Sequence, residues 1–198
     1  VLERIDYDAY QQIKFRRDRT LQVERDGRHP VQLFHMGKGF REPVHVHVVE
    51  EGQAREVLYT PSLFDIPTDH PARQLPDGLG FAGFRIHYPL NDPKENDELV
   101  SFVGSSYFRW LWRDQKYGLS ARGVAVNTTA QGPEEFPDFV EFYLEPAATA
   151  DAPVTIYALL ASAFFALLWR EGKRDRWKLF GILLGSLLSL LSPRGLKR

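Results

Sequence analysis

The sequence predicts an all-β protein whose sheets pack as a sandwich. From Tyr10 to about Leu144, short runs of alternating apolar and polar residues are interrupted by turn-forming residues at short intervals. Before Pro153 no segment carries a sustained 3.6-residue periodicity, although Pro61–Asp65 could form a single helical turn. An antiparallel sheet folded into a sandwich therefore fits this part of the chain best.

The strands are predicted wherever this alternation is clearest. In Val31–Met36 the side chains of Val31, Leu33 and His35 would face one way. In order, the predicted strands are Ile13–Phe15, Val31–Met36, Val44–Val49, Phe84–Tyr88, Leu99–Val103, Tyr107–Trp112, Gly123–Val126 and Phe139–Leu144. The predicted breaks between them are Asp26–Gly27, Gly37–Gly39, Pro61, Pro67–Pro76, Asn91–Pro93 and Gln131–Pro137.

Composition and charge limit the classes of function. The 198 residues include no cysteine, so disulfides, thiolate metal sites and cysteine nucleophiles are excluded. The net charge of −1 divides unevenly, because residues 154–198 hold eight Lys/Arg against two Asp/Glu. An acidic body with a basic, apolar tail argues against nucleic-acid binding.

The tail differs in texture from the body, and we expect a partial sandwich domain over residues 1–160 and a divergent tail over 161–198. Val154–Trp169 and Leu179–Ser192 carry no charge, and a basic segment separates them. Both fall short of the roughly 20 residues that a membrane-spanning helix needs. We expect helix over Leu179–Leu191. The tail would either associate with an anionic membrane surface or fold back over the sandwich.

Two histidines on one predicted strand form a candidate metal site. His45 and His47 would share a face, with Glu50 and Glu51 close behind, and the spacing resembles half of a cupin metal motif. The second half of that motif is absent. Solvent-facing histidines opposite an inward row of valines are therefore the favoured interpretation, and we predict no metal ion or other cofactor.

Adjacent carboxylates are weak candidates for glycoside chemistry. Such chemistry needs two carboxyl groups roughly 5–10 Å apart across a sugar. Glu134 and Glu135 would point to opposite faces of an extended backbone, as would Asp97 and Glu98. Both pairs are interpreted as solvated loop residues, and no catalytic residue is assigned.

Aromatic residues and arginines concentrate between positions 107 and 122. Sugars present C–H faces to aromatic rings and hydroxyl groups to forked arginine donors, so this mixture suits a carbohydrate groove. Because a strand buries alternate residues, half of these side chains could instead belong to the core. The residues concerned are Tyr107, Phe108, Arg109, Trp110, Trp112, Tyr117 and Arg122.

Several longer motifs occur in a recognisable order. They are YDAYQQIKF at 7–15, YTPSLFD at 59–65, GLGFAGFRIHYPL at 78–90, DELVSFVGSSYFR at 97–109, YGLSARG at 117–123, EEFP at 134–137 and TIYALL at 155–160. Over about residues 5–160 the chain resembles the N-terminal part of the osmoregulated periplasmic glucan biosynthesis proteins, the G/D family.

This resemblance implies a periplasmic protein involved in making or trimming the β-1,2-linked backbone of osmoregulated glucans. It also implies a galactose-mutarotase-type β-sandwich, present here only in part, with a long cleft for a glucan partner. The matching motifs, together with the aromatic and arginine concentration, nominate as cleft-lining residues Tyr107, Arg109, Trp110, Tyr117, Ser120, Arg122, Glu135 and Phe136. Arg122 could equally pair with Glu134 or Glu135 to hold a loop.

The resemblance ends near Leu160, and family members are much longer than this chain. The catalytic aspartate of the family lies downstream of the TIYALL segment, so no residue here inherits that role and we expect no glucan hydrolysis by this chain alone. The alternative function is a non-catalytic carbohydrate-binding β-domain anchored to the membrane by its tail, and a cupin-like metal enzyme is a third possibility.

Overall fold

Two β-sheets facing each other make up most of the molecule. The computed structural model describes residues 1–22, 29–122, 125, 134, 136–146 and 154–161, and the strands in this account are those of the described residues. They are β1 (Lys14–Phe15), β2 (Leu21–Gln22), β3 (Pro30–Phe34), β4 (His45–Glu50), β5 (Gln53–Glu56), β6 (Phe64–Asp65), β7 (Gly83–Tyr88), β8 (Asp97–Val103), β9 (Tyr107–Leu111), β10 (Tyr117–Arg122), β11 (Asp138–Glu145) and β12 (Thr155–Ala161). One α-helix, α1, spans Tyr7–Gln12, and 3₁₀ turns occur at Leu2–Arg4, Arg17–Arg19, Pro61–Leu63, Pro71–Gln74 and Arg113–Gln115.

The larger sheet has six antiparallel strands in the order β10-β9-β8-β7-β3-β2, and the smaller has four in the order β12-β11-β4-β5. A short ladder of β1 with β6 lies beside them. The predicted all-β sandwich is confirmed. One pair departs from the predicted antiparallel arrangement, because β4 and β11 are parallel.

Phenylalanine rings fill the space between the two sheets. Phe84 and Phe102 of the larger sheet contact Phe142 of the smaller one, with ring centroids 4.8 and 5.4 Å apart. Phe139 lies 4.7 Å from Phe142 on the same strand. All four are buried. Because side chains alternate along a strand, the residues next to these rings point away from the core.

Backbone contacts join the sheets at one end. Val44, just before β4, and Phe81, just before β7, exchange two backbone hydrogen bonds of 2.7 and 2.9 Å. Gly80 permits this approach, because a Cβ there would lie 2.9 Å from the Cβ of Pro43 and its φ is +89°. Only glycine adopts such a conformation without strain.

The histidine in β3's extension is a core residue, as the alternation predicted. Val31, Leu33 and His35 are all buried. His35 Nδ1 lies 2.6 Å from the Met36 carbonyl, which can only accept, so Nε2 accepts from the Tyr59 hydroxyl at 2.8 Å. Burial lowers the pKa of His35, in keeping with a neutral ring that is satisfied on both nitrogens.

Helix α1 and strands β2, β5, β6 and β10 were not predicted, for identifiable reasons. Strands β2 and β6 have two residues each, too few to show alternation. Helix α1 has six residues, too few to show a period, and its start is marked only by Asp6, which accepts a hydrogen bond from the Ala9 amide. Strand β5 has no large apolar residue and lies at a sheet edge. Strand β10 contains Gly118, and a glycine usually indicates a break in a strand. Here the glycine allows close packing, because a Cβ at this position would lie 3.2 Å from the Trp110 ring.

The remaining predictions concern the ends of elements. The predicted turn in Pro61–Asp65 is the 3₁₀ turn Pro61–Leu63, followed directly by β6. Most of the predicted strand Gly123–Val126 lies outside the described residues. So does the predicted tail beyond Ala161.

The aromatic packing predicts a large effect of one truncation. Phe142→Ala should lower the free energy of unfolding by about 3–5 kcal/mol, because it removes a fully buried ring that contacts both sheets. Urea denaturation of the full chain measures this. Leu159→Ala is the matched control, since Leu159 is 47% exposed on the same sheet. Equal losses in the two variants would contradict the assigned core.

Candidate functional site

A row of polar side chains crosses five strands of the larger sheet on the face turned away from the core. Strand pairing places these residues in register across β3, β7, β8, β9 and β10. Their neighbours Phe84, Phe102 and Phe108 are buried on the opposite face. The residues of this polar row are Gln32, Arg85, Ser101, Arg109 and Ser120.

Glu98 ties the two arginines of the polar row together. Arg109 donates a hydrogen bond to one carboxylate oxygen of Glu98, and Arg85 Nη1 lies 3.6 Å from the other. Arg85 also donates to the side-chain oxygen of Gln32 at 2.8 Å. The Glu98 side chain is only 13% exposed, so both guanidinium groups are held in fixed orientations.

A β-bulge brings Glu98 to this face. The pairing of β7 with β8 shifts register between Ile86 and His87, so that Leu99 is the extra residue and Glu98 pairs with His87. The interpretation of Asp97 and Glu98 as solvated loop residues is therefore wrong. Both lie in β8, and Glu98 contacts both Arg85 and Arg109.

Hydroxyl groups continue the row towards β10. The Ser120 hydroxyl donates to the Tyr107 hydroxyl across a distance of 2.8 Å. Tyr107 is half-buried. It lies two residues before Arg109 in β9, and therefore on the same face. Two predicted site residues, Tyr107 and Ser120, thus form one polar unit beside the arginine pair.

A second cluster surrounds Arg122 at the edge of the sheet. Its guanidinium carbon lies 4.4 Å from the centroid of the Phe136 ring, a cation–π contact. Arg122 Nη1 donates to the Ser105 carbonyl at 2.5 Å, and the Ser105 hydroxyl donates to Asp138 at 2.5 Å. Arg122 and Phe136, both predicted site residues, are therefore brought together.

The other predicted site residues are placed differently. Trp110 lies on the opposite face of β9 from Tyr107 and Arg109 and packs against the hydrophobic core. The backbone of Tyr117 begins β10 and pairs with Leu111. Glu135 lies outside the described residues.

A groove opens at the β3–β7 end of the polar row. Its volume is about 870 Å³, and Gln32 and Arg85 form part of its floor. Lys14, Arg17 and, from the β7–β8 loop, Lys94 also line it. Arg85 was not predicted as a site residue. The available signal was its position between the apolar residues Phe84 and Ile86, which places it on the outer face of an alternating strand.

The two strand histidines have structural partners. Val44, Val46 and Val48 are buried, whereas His45 and His47 lie half-buried on the other face, as the favoured interpretation predicted. His45 Nδ1 lies 2.7 Å from a Glu56 carboxylate oxygen, and His47 stacks on Tyr143 with centroids 4.6 Å apart. Across the described part of the chain, no group of three His, Cys, Asp or Glu residues could hold a metal ion.

The comparisons with known proteins decide the family. The family described as "Periplasmic glucan biosynthesis protein, MdoG" matches residues 1–170. The chain belongs to this family. The resemblance seen in the sequence motifs is confirmed, and the predicted periplasmic localisation is that of the family.

Curated relatives share the matched region. The chain is 46% identical over 167 residues to glucans biosynthesis protein D 2 of Ralstonia nicotianae, covering 81% of this chain and 31% of that protein. It is 44% identical over 172 residues to glucans biosynthesis protein D of Xylella fastidiosa, covering 85% of this chain and 31% of the relative. For the protein D of Xanthomonas axonopodis pv. citri the identity is 41% over 171 residues, with the same coverage. The chain thus spans about a third of the length of these relatives.

In the part of the chain that the structure describes, no helix is long and apolar enough to cross a bilayer.

The carboxylate bridge predicts a selective effect of charge removal. Glu98→Gln should lower the free energy of unfolding by about 1–2 kcal/mol, because two half-buried guanidinium groups lose their shared anion. Urea denaturation measures the change. Glu95→Gln, at an exposed acid in the neighbouring β7–β8 loop, is the control and should have little effect. A loss of stability in Glu98→Gln no larger than that in Glu95→Gln would show that Glu98 does not hold the arginines.

Proposed function

We propose that this chain forms part of the glucan-binding surface of a periplasmic glucan biosynthesis protein. The β-1,2-linked glucose backbone would lie along the polar row of the larger sheet. The observation that supports this most is the arginine pair, Arg85 and Arg109, oriented by Glu98 and continued by the hydroxyls of Tyr107 and Ser120. Family membership supports the class of ligand.

The dimensions of the row suit an extended polysaccharide. Neighbouring strands are about 4.8 Å apart, so five strands span about 19 Å, enough for several sugar rings. Forked guanidinium donors at fixed positions suit sugar hydroxyls, which act as acceptors. Since Glu98 already orients the arginines, little side-chain entropy would be lost on binding.

Aromatic faces supply the apolar half of sugar recognition. Tyr107 lies beside the arginine pair, and Phe136 lies beneath Arg122 at the sheet edge. C–H faces of glucose would rest on such rings while the hydroxyls meet the guanidinium groups. The inward position of Trp110 favours a role for it in holding β9 against the core.

The role of this chain would be to bind and position the glucan. Making or trimming the backbone is the activity we propose for the longer family protein. Catalysis by general acid requires a positioned carboxyl group. Among the described carboxylates, Glu98 is engaged with two arginines, which favours a positioning role for it.

Binding of a linear β-1,2-glucan tests the proposal. Arg109→Ala and Tyr107→Ala should each weaken binding by about 1–3 kcal/mol, the effect of losing a charge-assisted hydrogen bond or an aromatic contact. Isothermal titration calorimetry on the full chain measures the affinity. Arg55→Ala, which removes an exposed arginine from the smaller sheet, is the control and should bind as the unaltered chain does. Unchanged affinity in both site variants, with circular dichroism showing them folded, would reject this surface.

We also propose that the tail beyond Ala161 brings the chain to a lipid surface. Its basic residues outnumber its acidic ones by six over residues 154–198, and they flank apolar segments. Each basic residue near an anionic surface contributes on the order of 1 kcal/mol.

Flotation with liposomes tests the membrane proposal. The full chain should float with vesicles that contain anionic lipid and should float much less with neutral vesicles, because the attraction is electrostatic. Raising the salt concentration should weaken the association. A chain that stays at the bottom of the gradient with anionic vesicles would contradict lipid binding by the tail.

A further inference from the structure

Strand β12 forms one edge of the smaller sheet. It pairs with β11 on one side, and within the described residues no strand pairs with it on the other. Its seven residues read TIYALLA and include no charged residue, proline or glycine. An edge strand of this kind presents a row of backbone N–H and C=O groups that can pair with a further strand.

The other edges of the two main sheets carry features that hinder such pairing. Strand β2 has only two residues, and β5 has four, among them Arg55 and Glu56. Strand β10 carries Arg122 and has an extra residue, Gly118, in its pairing with β9. In the β11–β12 ladder the extra residue is Val140 of β11, so β12 itself is regular. Shortness, charge and bulges protect sheet edges in natural proteins, and β12 has none of these features.

Both faces of β12 leave apolar side chains partly uncovered. Ile156, Ala158 and Leu160 point towards the core, but Ala158 and Leu160 are only partly buried. On the outer face Tyr157 is half-buried, and Leu159 is 47% exposed. A strand added beyond β12 would therefore cover apolar surface on both faces while it satisfied the backbone of the edge.

The length and composition of β12 suit pairing with a second copy of the same strand. A two-fold axis through Ala158 would pair all seven residues in antiparallel register, with Thr155 opposite Ala161 of the second copy. Side chains near such an axis meet the same few side chains of the other copy, so a charged residue there would lie close to a like charge. Because β12 has no charged residue, this repulsion does not arise.

The same register matches apolar side chains on both faces of the sheet. Residues directly opposite each other in an antiparallel pair share a face. On the core side, Ile156 would lie opposite Leu160 of the second copy. On the outer side, Tyr157 would lie opposite Leu159, an aromatic ring against an aliphatic side chain. Each of these contacts would occur twice, once on each side of the axis.

We propose that β12 is an interaction surface for a second copy of this chain, and that two copies pair edge to edge through it to join their smaller sheets. This inference goes beyond glucan binding. The polar row lies on the outer face of the larger sheet, so pairing through the edge of the smaller sheet leaves it uncovered.

Analytical ultracentrifugation of the full chain tests the proposal. The chain should sediment with twice its mass of 22.8 kDa and should dissociate on dilution. Leu159→Lys should raise the dissociation constant of the dimer by at least about tenfold, because the lysine enters the interface twice in place of an apolar contact. Leu119→Lys is the matched control, since Leu119 is 52% exposed on the edge strand β10 of the other sheet, and it should leave the dimer unchanged. Circular dichroism checks that both variants are folded.

Engineered thiols test the register, because the chain contains no cysteine of its own. In a mixture of Tyr157→Cys and Leu159→Cys chains, the two thiols would lie opposite each other with Cβ atoms about 5 Å apart, and mild oxidation should join them. Either variant alone should cross-link far more slowly, because each position lies diagonally from its own copy, with Cβ atoms about 7–8 Å apart.

Self-association through another part of the chain, such as the residues after Ala161, would give a different pattern. It would survive Leu159→Lys, and the thiol variants would cross-link without preference for the mixture. Either of these results would overturn the proposal. So would a full chain that remains monomeric at every concentration measured, because a second copy would then not occupy the edge of β12.

Discussion

The packing of phenylalanine rings between the two sheets is the interaction on which the rest of the molecule depends. Phe142 lies at the centre, with Phe84 on one neighbouring strand of the opposite sheet and Phe102 on the next. These contacts fix which residues of β7 and β8 face inward. Because side chains alternate strictly along a strand, a shift of one residue would bury Arg85 in place of Phe84. The aromatic core therefore determines which residues of these strands face outward as well as which face inward.

This register determines which polar side chains lie together on the outer face of the larger sheet. Antiparallel pairing places Arg85 and Arg109 on either side of the small residue Ser101, which leaves room above it for a shared carboxylate. The bulge at Leu99 then supplies Glu98 to the same face. A regular strand would have sent Glu98 into the core, where its burial without a partner would be costly. One extra residue in β8 thus both avoids a buried charge and orients two arginines.

Much of the fold could be predicted because most core strands alternate cleanly, as Val44–Val49 and Phe84–Tyr88 do. Alternation also predicts the position of Trp110. This residue is adjacent to Arg109 in β9, and adjacent residues of a strand point to opposite faces of the sheet. Other features leave no periodic signal. Helix α1 is less than two turns long, and a bulge such as that at Leu99 depends on the pairing of two strands distant in sequence. Glu98 could therefore not be assigned to the site from the sequence alone, whereas Tyr107 and Ser120 could be nominated through their motifs.

Charge along the outer face is largely balanced. In the middle of the polar row, Glu98 offsets much of the charge of Arg85 and Arg109, so this region offers oriented donors with a weak net field. At the β3–β7 end, Asp65 lies opposite Lys14 in the β1–β6 ladder, so a carboxylate accompanies a cation there as well. Oriented donors with a weak net field suit neutral hydroxyl groups better than they suit anions. This balance is what a surface for an uncharged sugar chain would require.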